Sequence, residues 1–148
     1  MRAQEKIATF ELSLPSQLGY EKLVRHTLAW LLPGWGLSAA RTADLQTATS
    51  EACINAIEHG NRGVSELHVQ VALSFTHDHV DAVVIDQGIA SVPDPEPVAA
   101  NIEQKLMGLA PARGMGLALI RGLVDEAGFL PPQPGMGNRF HLRVYRQP

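Results

Sequence analysis

Three polar residues recur every four positions inside an otherwise small, apolar stretch, "EACINAIEHGN" at 51 to 61: Glu51, Asn55 and His59. At 100° per residue they fall within an arc of about 80° and form one stripe of a helix, while Ile54 and Ile57 take another face. Charged residues at that spacing most often make a solvated face, and the stripe alone carries that reading. Asn55 asks for more, because asparagine is a mediocre helix former and here it stands among alanines. Its amide carbonyl is a hard, neutral oxygen suited to Mg²⁺, which otherwise keeps waters and takes phosphate oxygens. A carboxylate one turn away, Glu51, can orient a hydroxyl or water and accept its proton. His59 is read as a helix-end, pocket-edge residue without a chemical role.

Two later segments add groups of matching chemistry. "VVIDQG" ends an apolar run on Asp86, followed at once by Gly88. An acid at a strand end is ordinarily a turn residue. The specific alternative is that an ionised Asp86 accepts a hydrogen bond from an exocyclic amine such as that of adenine, with Gly88 letting backbone approach the ring. "ARGMGLAL" sets Gly114 and Gly116 directly before a helix, where exposed N–H groups and the helix N-terminus favour an anion. Arg113 can add a charge-assisted contact to a phosphate. Such a glycine pair is weak by itself, since "PGMGNRF" at 134 to 140 repeats it.

The elements that must position these groups follow from periodicity. "IATFELSL" (7–14) alternates and reads as a strand ended by Pro15. Residues 16–32 carry Leu18, Leu23, Leu28, Leu31 and Leu32 near helical spacing, with Ser16 as N-cap and Pro33-Gly34 as a stop. Ser38 opens a second helix running to about His59, closed by Gly60. Residues 66–75, with Leu67, Val69, Val71 and Leu73 on one side, and 77–88 read as a hairpin. Residues 89–113 hold four prolines, and so long a connection in a compact domain is usually functional, here a lid. A third helix spans 114–128 with Leu117, Ile120, Leu123 and Val124 inward, and "NRFHLRVYR" closes the chain as a strand. The order β-α-α-β-β-lid-α-β predicts an α+β two-layer sandwich, helices on one face of a mixed, mostly antiparallel sheet.

Composition bounds the rest. The 148 residues, 45% hydrophobic and 18% charged, predict a single domain over 1–148 with one core. A net charge of −3 argues against a nucleic-acid module but not against a local phosphate site. The one cysteine, Cys53, excludes an intrachain disulfide and a multi-cysteine zinc site, and its apolar neighbours make it a small buried residue. "MRAQEKIATF" lacks the apolar core of a signal peptide, and no apolar run approaches a membrane span, so a cytoplasmic protein is expected. His77-Asp78-His79 reads as hairpin chemistry rather than metal ligation, and Trp30 and Trp35 as core or a contact surface.

The order of these motifs, with 35 residues from Glu51 to Asp86 and 28 from Asp86 to Gly114, resembles the ATP-binding domain shared by gyrase, the heat-shock chaperone, histidine kinases and the mismatch-repair ATPase, the Bergerat fold. Within it, "SEACINAIEHG" (50–60) and "GMGLALIRGLVDE" (114–126) are most similar to the bacterial anti-sigma factor serine/threonine kinases, over essentially the whole chain. The resemblance implies an ATP- and Mg²⁺-dependent kinase that binds a sigma factor and phosphorylates a STAS-type anti-anti-sigma protein, commonly as a homodimer. It implies Glu51 as the base acting on the acceptor serine, Asn55 as the Mg²⁺ ligand, Asp86 with Gly88 at adenine, and Arg113, Gly114, Met115, Gly116 and Leu117 around the phosphates. The chain departs from the pattern at Ala90, where the family has the second glycine of DxGxG, and at Asn138, where a hydroxyl usually stands. These departures keep open an alternative, a non-catalytic, nucleotide-dependent protein-binding regulator of the same fold. The catalytic half of a histidine kinase ranks below both.

Overall fold

A computed structural model describes residues 5–88 and 113–146, for 113–115 the backbone alone. Five strands form one sheet: β1 Ala8–Pro15, β2 His68–Phe75, β3 His79–Ile85, β4 Glu126–Phe129 and β5 Arg139–Tyr145. The spatial order is β1-β2-β3-β5-β4, and every ladder is antiparallel. The parallel component expected of a mixed sheet is therefore absent among the described residues. Helices α1 Glu21–Trp35, α2 Ala39–Asn55 and α3 Arg113–Leu123 make the second layer. Alternation decides which side of the sheet they cover. Val69, Val71 and Leu73 of β2, Val80, Ala82 and Val84 of β3, and Phe140, Leu142 and Val144 of β5 are all buried, while their neighbours in sequence point to the other face.

Helix limits differ from the sequence expectation for local reasons. In α1 the buried row is Val24, Leu28 and Leu32; Leu18 and Leu23 face solvent. Ser16 is buried and does not cap this helix. Pro33 does not stop the helix either: it sits in the last turn, and the chain leaves helix at Gly36, φ 97°. The N–H of Leu37 then bonds the Leu32 carbonyl at 3.1 Å, a Schellman closure. Ser38 caps α2 as expected, its hydroxyl accepting from the Arg41 N–H at 3.2 Å. Beyond Asn55 the helix widens into a π turn, Ala56–Gly60.

The third helix is shorter than expected, and 126–129 is the edge strand β4. Its register places Glu126 against Arg143 and Phe129 against Phe140. Leu117 and Ile120 are buried, and Leu123 and Val124 pack against the core. Arg41 joins the layers, its guanidinium 2.7 Å from Asp125 Oδ2 and 3.3 Å from the Leu123 carbonyl.

On the open face of the sheet, Asp81 lies opposite Arg143. Arg143 Nε and His141 Nε2 each stand 2.7 Å from Asp81 Oδ1, and His79 Nε2 is 3.2 Å from Oδ2. Burial opposes the charge of Asp81, but the hydrogen bonds from His141 and Arg143 hold its carboxyl well below the usual carboxylate range. His77-Asp78-His79 is indeed turn chemistry: Thr76 Oγ1 accepts from the His79 N–H and bonds Asp78. Cys53 is fully buried, and desolvation, with the nearby charge of Glu21, pushes its thiol up to about 12.

Because Asp81 binds its proton less readily folded than unfolded, its stabilising contribution is present above the unfolded carboxyl pKa of about 4 and fades as pH falls below it. Asp81→Asn is expected to lose about 1.5–3 kcal/mol near neutral pH. Urea midpoints across the acid range will show parent and variant converging as pH drops. The thiolate being the reactive form, Ellman's reagent at mildly alkaline pH will leave Cys53 unmodified until denaturant unfolds the chain.

Candidate functional site

The π turn decides where α2 delivers its C-terminal end. A widened turn of this kind is rare and shifts the following residues relative to a regular helix. Here it presses Gly60 against the end of β3, where Asp86 leaves the ladder. The start of β5 closes from the other side: the Asp86 N–H donates to the Asn138 carbonyl at 3.0 Å. Between them opens a recess lined by Asn55, Ala56, Gly60, Asp86, Leu117 and Asn138. Val84, Phe129 and Phe140 supply apolar walls, with the two phenylalanine rings edge to face at 5.0 Å. An apolar slot with a few convergent polar groups suits a planar heterocycle.

Asp86 is buried at 6% exposure, and its carboxylate is fixed on both oxygens. Oδ1 accepts from the backbone N–H groups of Gly88 at 2.8 Å and Asn138 at 2.9 Å. Oδ2 accepts from Asn138 Nδ2 at 3.2 Å. Three glycines make room for this. A methyl group on Gly60 would collide with Asp86 Oδ2, on Gly88 with the Gly60 carbonyl oxygen, and on Gly137 with the Asp86 carbonyl oxygen.

Asn55 and Glu51 face the start of α3. A methyl group at Gly116 would stand 3.3 Å from Asn55 Nδ2 and 3.4 Å from Glu51 Oε2, so the missing side chain keeps open the space above both. Asn55 Nδ2 is buried with no hydrogen-bond partner among the described residues, as are the hydroxyls of Thr42, Thr49 and Ser50 on the same helix. Leaving such a group unsatisfied costs about 1–3 kcal/mol, and of the four only Asn55 lines the recess.

Of the residues singled out in the sequence, Asn55, Asp86 and Leu117 line one recess, and Glu51, Gly88 and Gly116 border it. Gly114 and Met115 follow Arg113 in the first turn of α3. Ala90, and the lid expected over about 89–113 up to Arg113, lie outside the described residues. His59 falls in the π turn, its Nε2 4.0 Å from Glu58 Oε2, and does not line the recess. Gly60, by its place a helix stop, Gly137, by its pattern a turn, and Phe129 and Phe140 are site residues that no motif in the sequence marks as such. The repeated GxG of "PGMGNRF" was the available signal. Asn138, where a hydroxyl was expected, puts an amide donor on Asp86 instead.

The residues present fit a magnesium–nucleotide complex. Among the described residues no three His, Cys, Asp or Glu side chains gather around a metal position. One amide beside an open, glycine-floored space matches an ion that keeps its waters and takes phosphate oxygens, and the apolar slot of Val84, Phe129 and Phe140 beside Asp86 suits a ring.

The model of the histidine kinase-like ATPase domain matches residues 14–136. The chain is similar to a protein named serine-protein kinase RsbW from Bacillus velezensis, 29% identical over 127 residues that cover 78% of this chain and 74% of that protein. The Bacillus subtilis protein of the same name is 28% identical over the same shares. Among solved structures, one of the RsbU and RsbW domains of Rv1364c from Mycobacterium tuberculosis superposes with a TM-score of 0.65 at 25% identity. It covers 95% of this chain, which spans 33% of that longer one.

The glycine cradle is open to a direct measurement. Gly137→Ala forces backbone apart at Asp86 and is expected to destabilise by about 1–3 kcal/mol. Gly128→Ala, where an added methyl meets nothing within 4 Å, serves as the control and will leave the urea midpoint close to the parent's.

Proposed function

The chain belongs to the histidine kinase-like ATPase domain family, and on that premise we propose that it is an ATP-dependent serine/threonine protein kinase. Its proposed acceptor is a STAS-type anti-anti-sigma protein, and its second partner a sigma factor that it sequesters, with the kinase acting as a homodimer. The single observation that carries the reading is that Asn55, whose buried Nδ2 has no partner among the described residues, and Asp86, with its fixed carboxylate, line the same recess. The similarity to proteins named serine-protein kinase supports the choice of activity within the family.

In this reading Asp86 accepts a hydrogen bond from the adenine amine while Gly88 keeps the turn low enough for the ring. Gly114, Met115, Gly116 and Leu117 present the first turn of α3 to the phosphates, and Arg113 adds a positive charge. Asn55 would hold Mg²⁺ through its amide oxygen. Mg²⁺ bound with ATP supplies neutralisation of phosphate charge, which with positioning is most of what phosphoryl transfer needs. Glu51, bordering the space above Gly116, orients the acceptor hydroxyl and takes its proton as the bond from that oxygen to the γ-phosphorus forms and the bond to the β,γ-bridging oxygen breaks, leaving ADP. A phosphate on the acceptor adds charge and acceptor oxygens to its surface, enough to break a docked complex. Trp30, 80% exposed, and Leu23 on α1 offer apolar area for protein contacts.

Glu51→Ala separates binding from transfer. In a radiolabelled Mg-ATP assay with its cognate STAS protein, the variant is expected to lose about 10²–10⁴-fold in transfer rate, while calorimetry gives an ATP affinity near the parent's. A parent that binds ATP yet transfers nothing to its cognate partner establishes the non-catalytic regulator instead.

A further inference from the structure

Asn61, the last residue of "EACINAIEHGN", is 1% exposed and takes no part in the roles assigned above. Its backbone N–H closes the π turn on the Ala56 carbonyl at 2.7 Å. Its side chain is used at both ends. Oδ1 accepts from the Gln87 backbone N–H at 2.7 Å, while Nδ2 donates to Ser16 Oγ at 3.1 Å and to the His68 carbonyl at 3.0 Å. One amide thus joins the end of β1, the start of β2 and the residue next to Asp86. Gln87 completes the clamp from its own side, its side-chain carbonyl accepting from the His68 N–H.

Position explains why this bond matters. β3 ends at Ile85, so the ladder no longer fixes the Gln87 N–H, and Gln87 is itself exposed. The 86–88 strap is held from the β5 side by Asn138 and from the opposite side by Asn61. Its conformation sets where the Asp86 carboxylate points. A carboxylate facing the recess pairs with the amine of an amino-purine and meets the carbonyl oxygen of an oxo-purine as one acceptor against another.

We propose that Asn61 is a positioning residue for base recognition: by holding Gln87 it fixes the Asp86 carboxylate and so sets the preference for an amino-purine over an oxo-purine nucleotide. The inference rests on the nucleotide reading of the recess. Loss of the Asn61–Gln87 bond lets the strap shift and weakens the favourable pairing, while the unfavourable one relaxes.

The test measures ATP and GTP affinities by calorimetry with Mg²⁺, alongside thermal unfolding, for the full chain and three variants. Asn61→Ala is expected to bind ATP about fivefold more weakly, the equivalent of one net hydrogen bond, and to lose a comparable part of the ATP-over-GTP ratio. Asn61→Asp keeps the acceptor for Gln87 and loses the donors. Ser16→Ala removes only a far anchor. Both are expected to melt lower while keeping the parent's ratio. Asn61→Ala with the parent's ratio overturns the inference, as do Asn61→Asp and Ser16→Ala losing the ratio in step with melting temperature. Should Asn61→Ala not fold, the other two decide by the same criterion. A parent that takes up neither nucleotide overturns the nucleotide reading and this inference together, whereas an ATP-selective parent with an unmoved Asn61→Ala ratio overturns this inference alone.

Discussion

Three backbone segments come into contact around one buried carboxylate, and the rest of the site depends on that approach. The end of α2 at Gly60, the end of β3 at Asp86–Gly88 and the start of β5 at Gly137–Asn138 are packed so closely that no side chain fits at any of the three glycines. The carboxylate fills the junction and takes its hydrogen bonds from backbone just outside the two strands, at Gly88 and Asn138. Interiors this dense transmit displacement rather than absorb it. The orientation of Asp86 is therefore set by the packing of helix on sheet and not by its own rotamer alone.

The site occupies the rim of that packing. The layer of Val69, Val71, Val80, Ala82, Leu142 and Val144 against α1 and α2 is apolar. At the border the logic reverses. Asn55 carries a buried donor with no partner among the described residues, and an asparagine interrupts good helix formers, so local stability is given up at the recess. The opposite face of the sheet shows the contrast: Asp81, His79, His141 and Arg143 satisfy one another, and that cluster serves stability.

Much of this was readable along the chain, and the misses have physical causes. Ser38 capped its helix because N-cap chemistry is local, and β2–β3 formed the hairpin that alternation required. Leu18 and Leu23 share the loose helical spacing of the leucines yet face solvent, and only packing in the fold picks out Val24, Leu28 and Leu32 of α1. β4 was taken for helix because "DEAGF" has no strong preference of its own. It became a strand by pairing with β5, a contact between residues close in sequence but set by the sheet edge. Asn138 stands where the resemblance implies a hydroxyl, and only the fold shows that its amide reaches the Asp86 carboxylate.

The order and chemistry of the motifs, the amphipathic helices and the alternating strands were settled by the sequence alone, because each rests on residue type and on spacings of two or about four. Tertiary structure alone decided that the π turn brings Gly60 onto Asp86, that Gly137 and Asn138 close the recess, and that Asn61 ties the strap to β1 and β2. Apart from the Asn61–His68 bond, seven positions apart, those contacts join residues 26 to 52 positions apart through distances of a single atom, and no local pattern in the chain encodes an approach that close.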